Sequence, residues 1–207
     1  MATVMPVSEG SALAEAAETL SGGRAVCIPT DTVYGLAASV SRPASVSELF
    51  ALKGRPRDVV LPVLVAGTEQ ALGLVPSMTG AAAKLAGRYW PGALTLVLPR
   101  RRGLSASLGG DGTTVGVRCP DHHVPLALCR LVGPLATTSA NLHGAPTPVV
   151  AQGVADLFGE RLALVLDGGA CDGSSSTVVD CTGRDSKCLR DGRIPWSEVL
   201  GALEEPA

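Results

Sequence analysis

The strongest constraint on the fold is a unit that recurs along the chain: a short aliphatic run that reads as a buried strand and then stops in a cluster of hydroxyl, amide or cationic side chains. Arg24-Ala-Val-Cys-Ile28 runs into Pro29-Thr30-Asp31-Thr32, and Leu135-Ala136 runs into Thr137-Thr138-Ser139-Ala140-Asn141. Leu94 to Leu98 is another such strand, Thr114-Val-Gly-Val-Arg118 ends on a cation, and Leu162 to Leu166 stops at Asp167-Gly168-Gly169. Thr177-Val-Val-Asp180 is entered through Ser174-Ser-Ser176, and a last short strand surrounds Cys188-Leu189-Arg190. Continuous aliphatic runs of this length belong to strands covered on both faces.

Helical patterns separate the strands. Ser11 to Leu20 places Leu13, Ala16, Ala17 and Leu20 on one face before Gly22-Gly23. Ser45-Val-Ser-Glu48 reads as a capping box whose helix turns Val46, Leu49, Phe50 and Leu52 inward and stops at Lys53-Gly54-Arg55-Pro56. Further helices are expected over Ala81 to Tyr89, over Val124 to Val132 behind a His122-His123 start, from Pro146-Thr147-Pro148 to about Phe158, and from Pro195 with Val199, Leu200 and Leu203 inward. Val59 to Ala66 reads as one buried strand. With 46% hydrophobic but only 3% aromatic residues over 207 positions, the core must be aliphatic. The expectation is one α/β domain, an open twisted sheet flanked by helices.

The formal charge of −2 gives no whole-molecule attraction for nucleic acid, although a local basic surface stays open. The amino terminus lacks the basic start and apolar core of a signal peptide, and no uncharged apolar run reaches a membrane-spanning length, so a cytoplasmic protein with no membrane association is expected. The six cysteines form no C-x-x-C pair and the three histidines lack ligand spacing; free thiols and no metal site follow.

Function is sought where polar residues interrupt this apolar chain. The clusters Thr30 to Thr32, Lys53 to Arg55, Thr114 to Arg118, Thr137 to Asn141, Ser176 and Arg190 all sit at element ends, and open α/β sheets bind ligands at strand ends. Lys53 and Arg55 read either as cations complementing a helix C-terminus or as an anion clamp, a mobile point charge beside a planar fork. Arg100-Arg101-Arg102 reads as a solvated loop. Gly109-Gly-Asp-Gly112 fits neither phosphate-loop spacing. With no nucleophile elbow or triad order, positioning and charge stabilisation must carry any reaction.

Taken together, Pro29-Thr-Asp-Thr-Val-Tyr-Gly-Leu36, Lys53-Gly-Arg-Pro56, Trp90-Pro-Gly-Ala-Leu-Thr-Leu96, Val115-Gly-Val-Arg-Cys-Pro120, Thr138-Ser-Ala-Asn141 and Ser176-Thr-Val-Val-Asp180 resemble the YrdC-like family, the threonylcarbamoyl-AMP synthases, in that family's order from about residue 10 to 200. The resemblance implies a large concave, positively lined groove. It implies the conversion of L-threonine, bicarbonate and ATP, with Mg2+ carried on the nucleotide, into threonylcarbamoyl-adenylate and pyrophosphate for modification of tRNA adenosine 37.

By the same resemblance, Lys53, Arg55, Ser139 and Asn141 form the catalytic signature; Thr114, Thr147 and Arg190, with Arg55 and Ser139, contact the nucleotide; and Thr32, Arg118, Thr137 or Thr138, and Ser176 line the threonine pocket. Downstream tRNA threonylcarbamoyl-transferase proteins are the implied partners, with weak RNA binding a further one. Leu64 stands where many relatives carry a histidine near threonine, and a chain of this length has no room for the larger relatives' C-terminal domain. Two alternatives remain: a non-enzymatic RNA-binding or ribosome-maturation module of the same fold, and a carbamoyl-adenylate activity like that in hydrogenase maturation.

Overall fold

In the computed structural model, which describes residues 2–104 and 108–205, a single mixed sheet runs through the protein. Its strands are β1 (Thr3–Pro6), β2 (Val26–Ile28), β3 (Gly35–Ser39), β4 (Val63–Leu64), β5 (Leu94–Pro99), β6 (Thr114–Arg118), β7 (Leu135–Ser139), β8 (Leu164–Asp167), β9 (Thr177–Asp180) and β10 (Lys187–Arg190). They lie in the order β1-β8-β2-β3-β7-β4-β6-β5-β9-β10. The β1–β8, β8–β2, β4–β6 and β5–β9 pairs are parallel; the remaining neighbours are antiparallel.

Among the described residues seven α-helices flank the sheet: α1 (Ala12–Ser21), α2 (Pro43–Lys53), α3 (Thr68–Leu72), α4 (Gly80–Tyr89), α5 (His123–Val132), α6 (Ala151–Phe158) and α7 (Trp196–Glu204). The alternation of strand side chains divides the interior in two. Val26, Ile28, Leu164 and Leu166 pack with Ala12, Ala16 and Leu20 of α1 and Val124 and Leu128 of α5. Cys27 and Val165 point the other way, into the larger cluster that includes Val46, Leu49 and Phe50 of α2 and Val154 and Phe158 of α6.

The α/β architecture is the expected one, and four local readings change. Helix α2 starts at Pro43 and not at a Ser45 cap, because proline is preorganised for a first helical position. The Ser45 hydroxyl instead donates to the Gly23 carbonyl. The run Val59 to Ala66 yields only the two-residue β4, since Pro62 has no N–H for a ladder, and Val59 is exposed. Pro146 to Pro148 precede α6 without opening it, and Leu200 on α7 faces solvent while Val199 and Ala202 are buried. The His122 expectation holds: its Nδ1 accepts from the Val124 N–H at 3.2 Å and caps α5. All six cysteines are free thiols. Among the described residues no helix is long and apolar enough to cross a membrane.

One connection fixes the shape around the site. β8 is second and β9 ninth in the sheet, seven strand spacings apart. Laid flat, that is roughly 34 Å at about 4.8 Å per strand. Residues 168–176 could reach that far only fully extended, at about 3.3–3.6 Å per residue. They are not extended, because Gly169 and Gly173 both turn at φ +85°. The sheet is therefore rolled, bringing its two flanks close enough for this segment to bridge them as a strap.

Candidate functional site

Beneath the strap lies a pocket of about 230 Å³, open to solvent. Its walls bring together Thr32, Arg55, Arg118, Thr137, Thr138, Ser139, Thr147, Ser176 and Arg190, nine of the residues singled out from sequence, drawn from segments scattered over the chain. Gly35 at the start of β3 and Leu64 at the end of β4 also line it, and through Thr95 of β5 and Thr137 and Thr138 of β7 strand interiors form part of its floor. Strand ends alone do not make the site. Thr30, part of the Thr30 to Thr32 cluster, lines it too, whereas Thr95, Gly173 and Ser175 are lining residues that the polar-cluster reading did not select. Thr114 lies in an adjoining, more apolar recess formed with Val60, Pro62, Val97, Val178 and Leu189, which shares Arg55, Thr95 and Arg190 with the main pocket.

Lys53 does not behave as a mobile charge. The left-handed Gly54, at φ +63°, ends α2 and turns the chain so that Lys53 and Arg55 part company. Lys53 is 3% exposed, and its ammonium donates to the Ser139 carbonyl at 2.8 Å, Ser139 Oγ at 2.7 Å and Asn141 Oδ1 at 2.6 Å. An ammonium has three donors, and all three are committed. Ser139 Oγ donates in turn to Asn141 Oδ1 at 2.6 Å, and the Asn141 amide donates to the Leu142 carbonyl at 2.9 Å. Lys53 and Asn141 thus stand behind the pocket wall and fix Ser139 within it.

Burial, with Arg55 nearby, lowers the Lys53 pKa from 10.5 to about 8. The folded value lies below the unfolded one, so between these pH values the unfolded chain binds more protons and this group makes stability rise with pH. Below about 8 both states are protonated and its contribution is constant. An NMR titration of side-chain 13Cε signals can check this directly, because the chain has only three lysines, Lys53, Lys84 and Lys187. One signal is expected to titrate near 8; if all three titrate near 10.5, the burial argument fails.

The exposed half of the site is built from arginines. Arg55 donates to the Val60 carbonyl at 3.1 Å and keeps its remaining edge toward the pocket. Arg118 is 6% exposed and anchored at each of its three nitrogens: Nε to the Gly92 carbonyl at 2.9 Å, one terminal nitrogen to Thr32 Oγ1 at 2.9 Å, the other to Asp31 Oδ1 at 2.6 Å. Arg190 reaches inward because the β9–β10 register slips between Cys188 and Arg190, a bulge that re-aims the side chain. It grips Ser176 at both carbonyl and hydroxyl, each at 2.9 Å, and Ser176 Oγ lies 3.0 Å from Thr95 Oγ1.

Burial lowers the pKa of each of these three guanidiniums. Arg190 adds to the effect on Arg55 and Arg118 adds to it on Arg190, whereas Asp31 opposes it for Arg118. All three stay charged. Of these three, only Arg118 has a carboxylate partner among the described residues. Three crowded guanidiniums with one counter-charge form a site that is electrostatically frustrated when empty and relieved by a polyanion. No carboxylate lines the pocket, and the described residues hold no acidic, His or Cys cluster able to grip a metal.

Fold and site define a mixed-sheet α/β protein with an arginine- and hydroxyl-lined anion pocket. The chain belongs to the Sua5/YciO/YrdC family, whose model, described as telomere recombination, matches residues 18–192. It is 38% identical over 200 residues to a putative threonylcarbamoyl-AMP synthase of Mycobacterium tuberculosis, covering 95% of this chain and 92% of that one. It is 40% identical to the threonylcarbamoyl-AMP synthase of Bacillus subtilis, with 92% of this chain and 56% of that protein covered. The structure of P. abyssi Sua5 complexed with L-threonine superposes with a TM-score of 0.92 at 36% identity, covering 99% of this chain and 61% of that chain. The present chain therefore spans about three-fifths of that archaeal protein.

Proposed function

We propose that this protein is a threonylcarbamoyl-AMP synthase, making threonylcarbamoyl-adenylate and pyrophosphate from L-threonine, bicarbonate and ATP. The observation that carries the reading is the convergence of Arg55, Arg118 and Arg190 on one hydroxyl-lined pocket with a single carboxylate between them. The names of the Bacillus subtilis and P. abyssi relatives support the same activity.

In this reading the site has two ends. Arg118, Thr32, Thr137, Thr138 and Ser176 hold threonine, the anchored Arg118 supplying a fixed positive wall and the threonines short hydroxyl contacts. Arg55 and Ser139, with Thr147 and Arg190, hold the phosphates, and the apolar recess beside Thr114 takes the base. The threonine amine adds to bicarbonate carbon and water leaves, giving the N-carboxylate. That carboxylate oxygen attacks the α-phosphorus, and the bond to the β-phosphate oxygen breaks to release pyrophosphate. Negative charge builds on phosphoryl oxygens throughout, and fixed guanidiniums meet it without reorganising.

A pocket of cations and hydroxyls suits Mg2+ arriving on the triphosphate rather than an ion held by protein carboxylates. We place the whole activity in one YrdC-like domain spanning the chain, with the adenylate passing to tRNA threonylcarbamoyl-transferase proteins that modify adenosine 37.

The test is threonine-dependent pyrophosphate release from ATP and bicarbonate, with the adenylate identified by mass. Release that does not depend on threonine sinks the reading. Arg55→Ala is expected to lower turnover at least a hundredfold, since charge-assisted contacts contribute about 1.5–3 kcal/mol each and this residue makes more than one. Thermal unfolding should stay within a few degrees of wild type. An unfolded Arg55→Ala protein would instead assign Arg55 to holding the loop carbonyls of Val59 and Val60.

A further inference from the structure

The strap, residues 168–176, contributes Gly173, Ser175 and Ser176 to the pocket, yet Gly168 to Ala170 and Asp172 to Ser174 are exposed. Its neutral ties are few. The Tyr34 hydroxyl donates to the Gly169 carbonyl at 2.7 Å and accepts from the Gly168 N–H at 3.2 Å. The Cys171 N–H reaches the Val149 carbonyl at 2.9 Å, and the Gly173 N–H reaches the Thr32 carbonyl at 3.1 Å. Besides the Arg190 grip on Ser176 at its end, the strap is held by Arg193, outside the pocket wall: its guanidinium meets Asp172 Oδ2 at 2.9 Å, and its backbone N–H reaches the Ser175 carbonyl at 2.8 Å. The same guanidinium nitrogen donates to the backbone carbonyl of Asp31. Asp31 is the residue whose carboxylate holds Arg118.

We propose that the Arg193–Asp172 ion pair is a latch that holds the strap across the pocket mouth and couples its closure to the alignment of the Asp31–Arg118 pair. Arg193 is a positioning residue: it does not itself line the pocket but ties the strap, the Asp31 loop and the segment after β10 at one point. The pair is 48% and 41% exposed, in keeping with a contact that opens and closes. An interior pair would hold the strap shut, whereas a half-exposed one can part to admit substrate. Placing threonine as the ligand under the strap rests on the function proposed above.

Asp172→Asn tests the latch. It removes the charge but keeps the Oδ1 that accepts from the Ser174 N–H at 2.8 Å, so the local turn survives. Exposed pairs of this kind shift an opening equilibrium by about two- to fivefold. Amide exchange at Cys171 and Gly173 in the ligand-free protein is expected to accelerate by that factor, while Leu36 in β3 stays unchanged and reports the global fold. In steady-state assays the threonine KM should rise by the same factor with kcat held within twofold. The swap Asp172→Arg with Arg193→Asp should bring strap exchange back toward the wild-type rate but leave the threonine KM raised, because a carboxylate at 193 cannot donate to the Asp31 carbonyl. Unaltered exchange at the strap overturns the latch, and faster exchange with an unchanged threonine KM overturns its coupling to the site. If the wild type releases no threonine-dependent pyrophosphate, the functional reading fails, and the latch is then decided by exchange and its restoration in the swap.

Discussion

Replacing Lys53 with methionine is expected to remove activity while leaving a folded protein of nearly unchanged stability. Two opposed effects of similar size meet at this residue. Without the ammonium the Ser139 carbonyl loses one of its donors but keeps the Asn141 N–H, and Asn141 Oδ1 retains only the Ser139 hydroxyl as a donor. Each buried acceptor left short costs about 1–3 kcal/mol. Against this, a pKa held near 8 instead of 10.5 means that the charged lysine is itself disfavoured in the fold at neutral pH. That difference corresponds to about 3 kcal/mol, which a methionine of similar length avoids. The terms offset to within about 2 kcal/mol.

Activity has no such compensation. With Lys53 gone, Ser139 is no longer pinned from behind and the phosphate end loses a positive charge, so turnover should fall by about a hundredfold or more. Calorimetry beside the pyrophosphate assay separates the two. A protein that unfolds but retains its specific activity would make Lys53 a structural residue only.

The contrast between Lys53 and Arg55 shows what the chain discloses and what it withholds. A Lys-x-Arg at a helix end is visible in the sequence, and so is the Gly54 that stops the helix. That the two cations diverge, one locked behind the wall and one lining the pocket, depends on Ser139 and Asn141, 86 and 88 residues further along. Only the tertiary fold brings those partners within reach. Polar interruptions in an otherwise aliphatic chain marked most of the polar part of the pocket wall, because a hydroxyl or guanidinium in a buried place needs a partner or a ligand. Thr95 escaped because it sits inside an apolar strand, where a single threonine is an ordinary β residue.

Boundaries failed where two local signals competed. Pro43 and Ser45 each announce a helix start three residues or fewer apart, and the serine was already claimed by Gly23 across the fold. Arg193 was invisible for the same reason as Lys53: its partner carbonyl on Asp31 lies 162 residues away.

Removing the Asp31 carboxylate should give the largest loss of stability. In Asp31→Ala, Arg118 stays buried with its charge and loses its only carboxylate, the situation in which breaking a buried pair costs about 3–5 kcal/mol. At about 2–4 °C per kcal/mol for a chain of this size, the midpoint of thermal unfolding should fall by roughly 10 °C. The Arg118 fork then relaxes from Thr32, and threonine binding should weaken with it. Arg118→Lys should bind threonine no better, since an ammonium cannot meet Gly92, Thr32 and Asp31 together in the plane that the guanidinium fills.

The decisive comparison is the double variant Asp31→Ala with Arg118→Met. Once the orphaned charge is gone, part of the stability lost in Asp31→Ala should return, while threonine-dependent turnover stays abolished because the positive wall of the pocket is missing. Stability would then recover without function, which a purely structural role for the pair cannot produce. If Asp31→Ala unfolds within about 1 kcal/mol of wild type, the charge on Arg118 is compensated by something other than Asp31, and the account of the pair as the anchor of the threonine end is wrong.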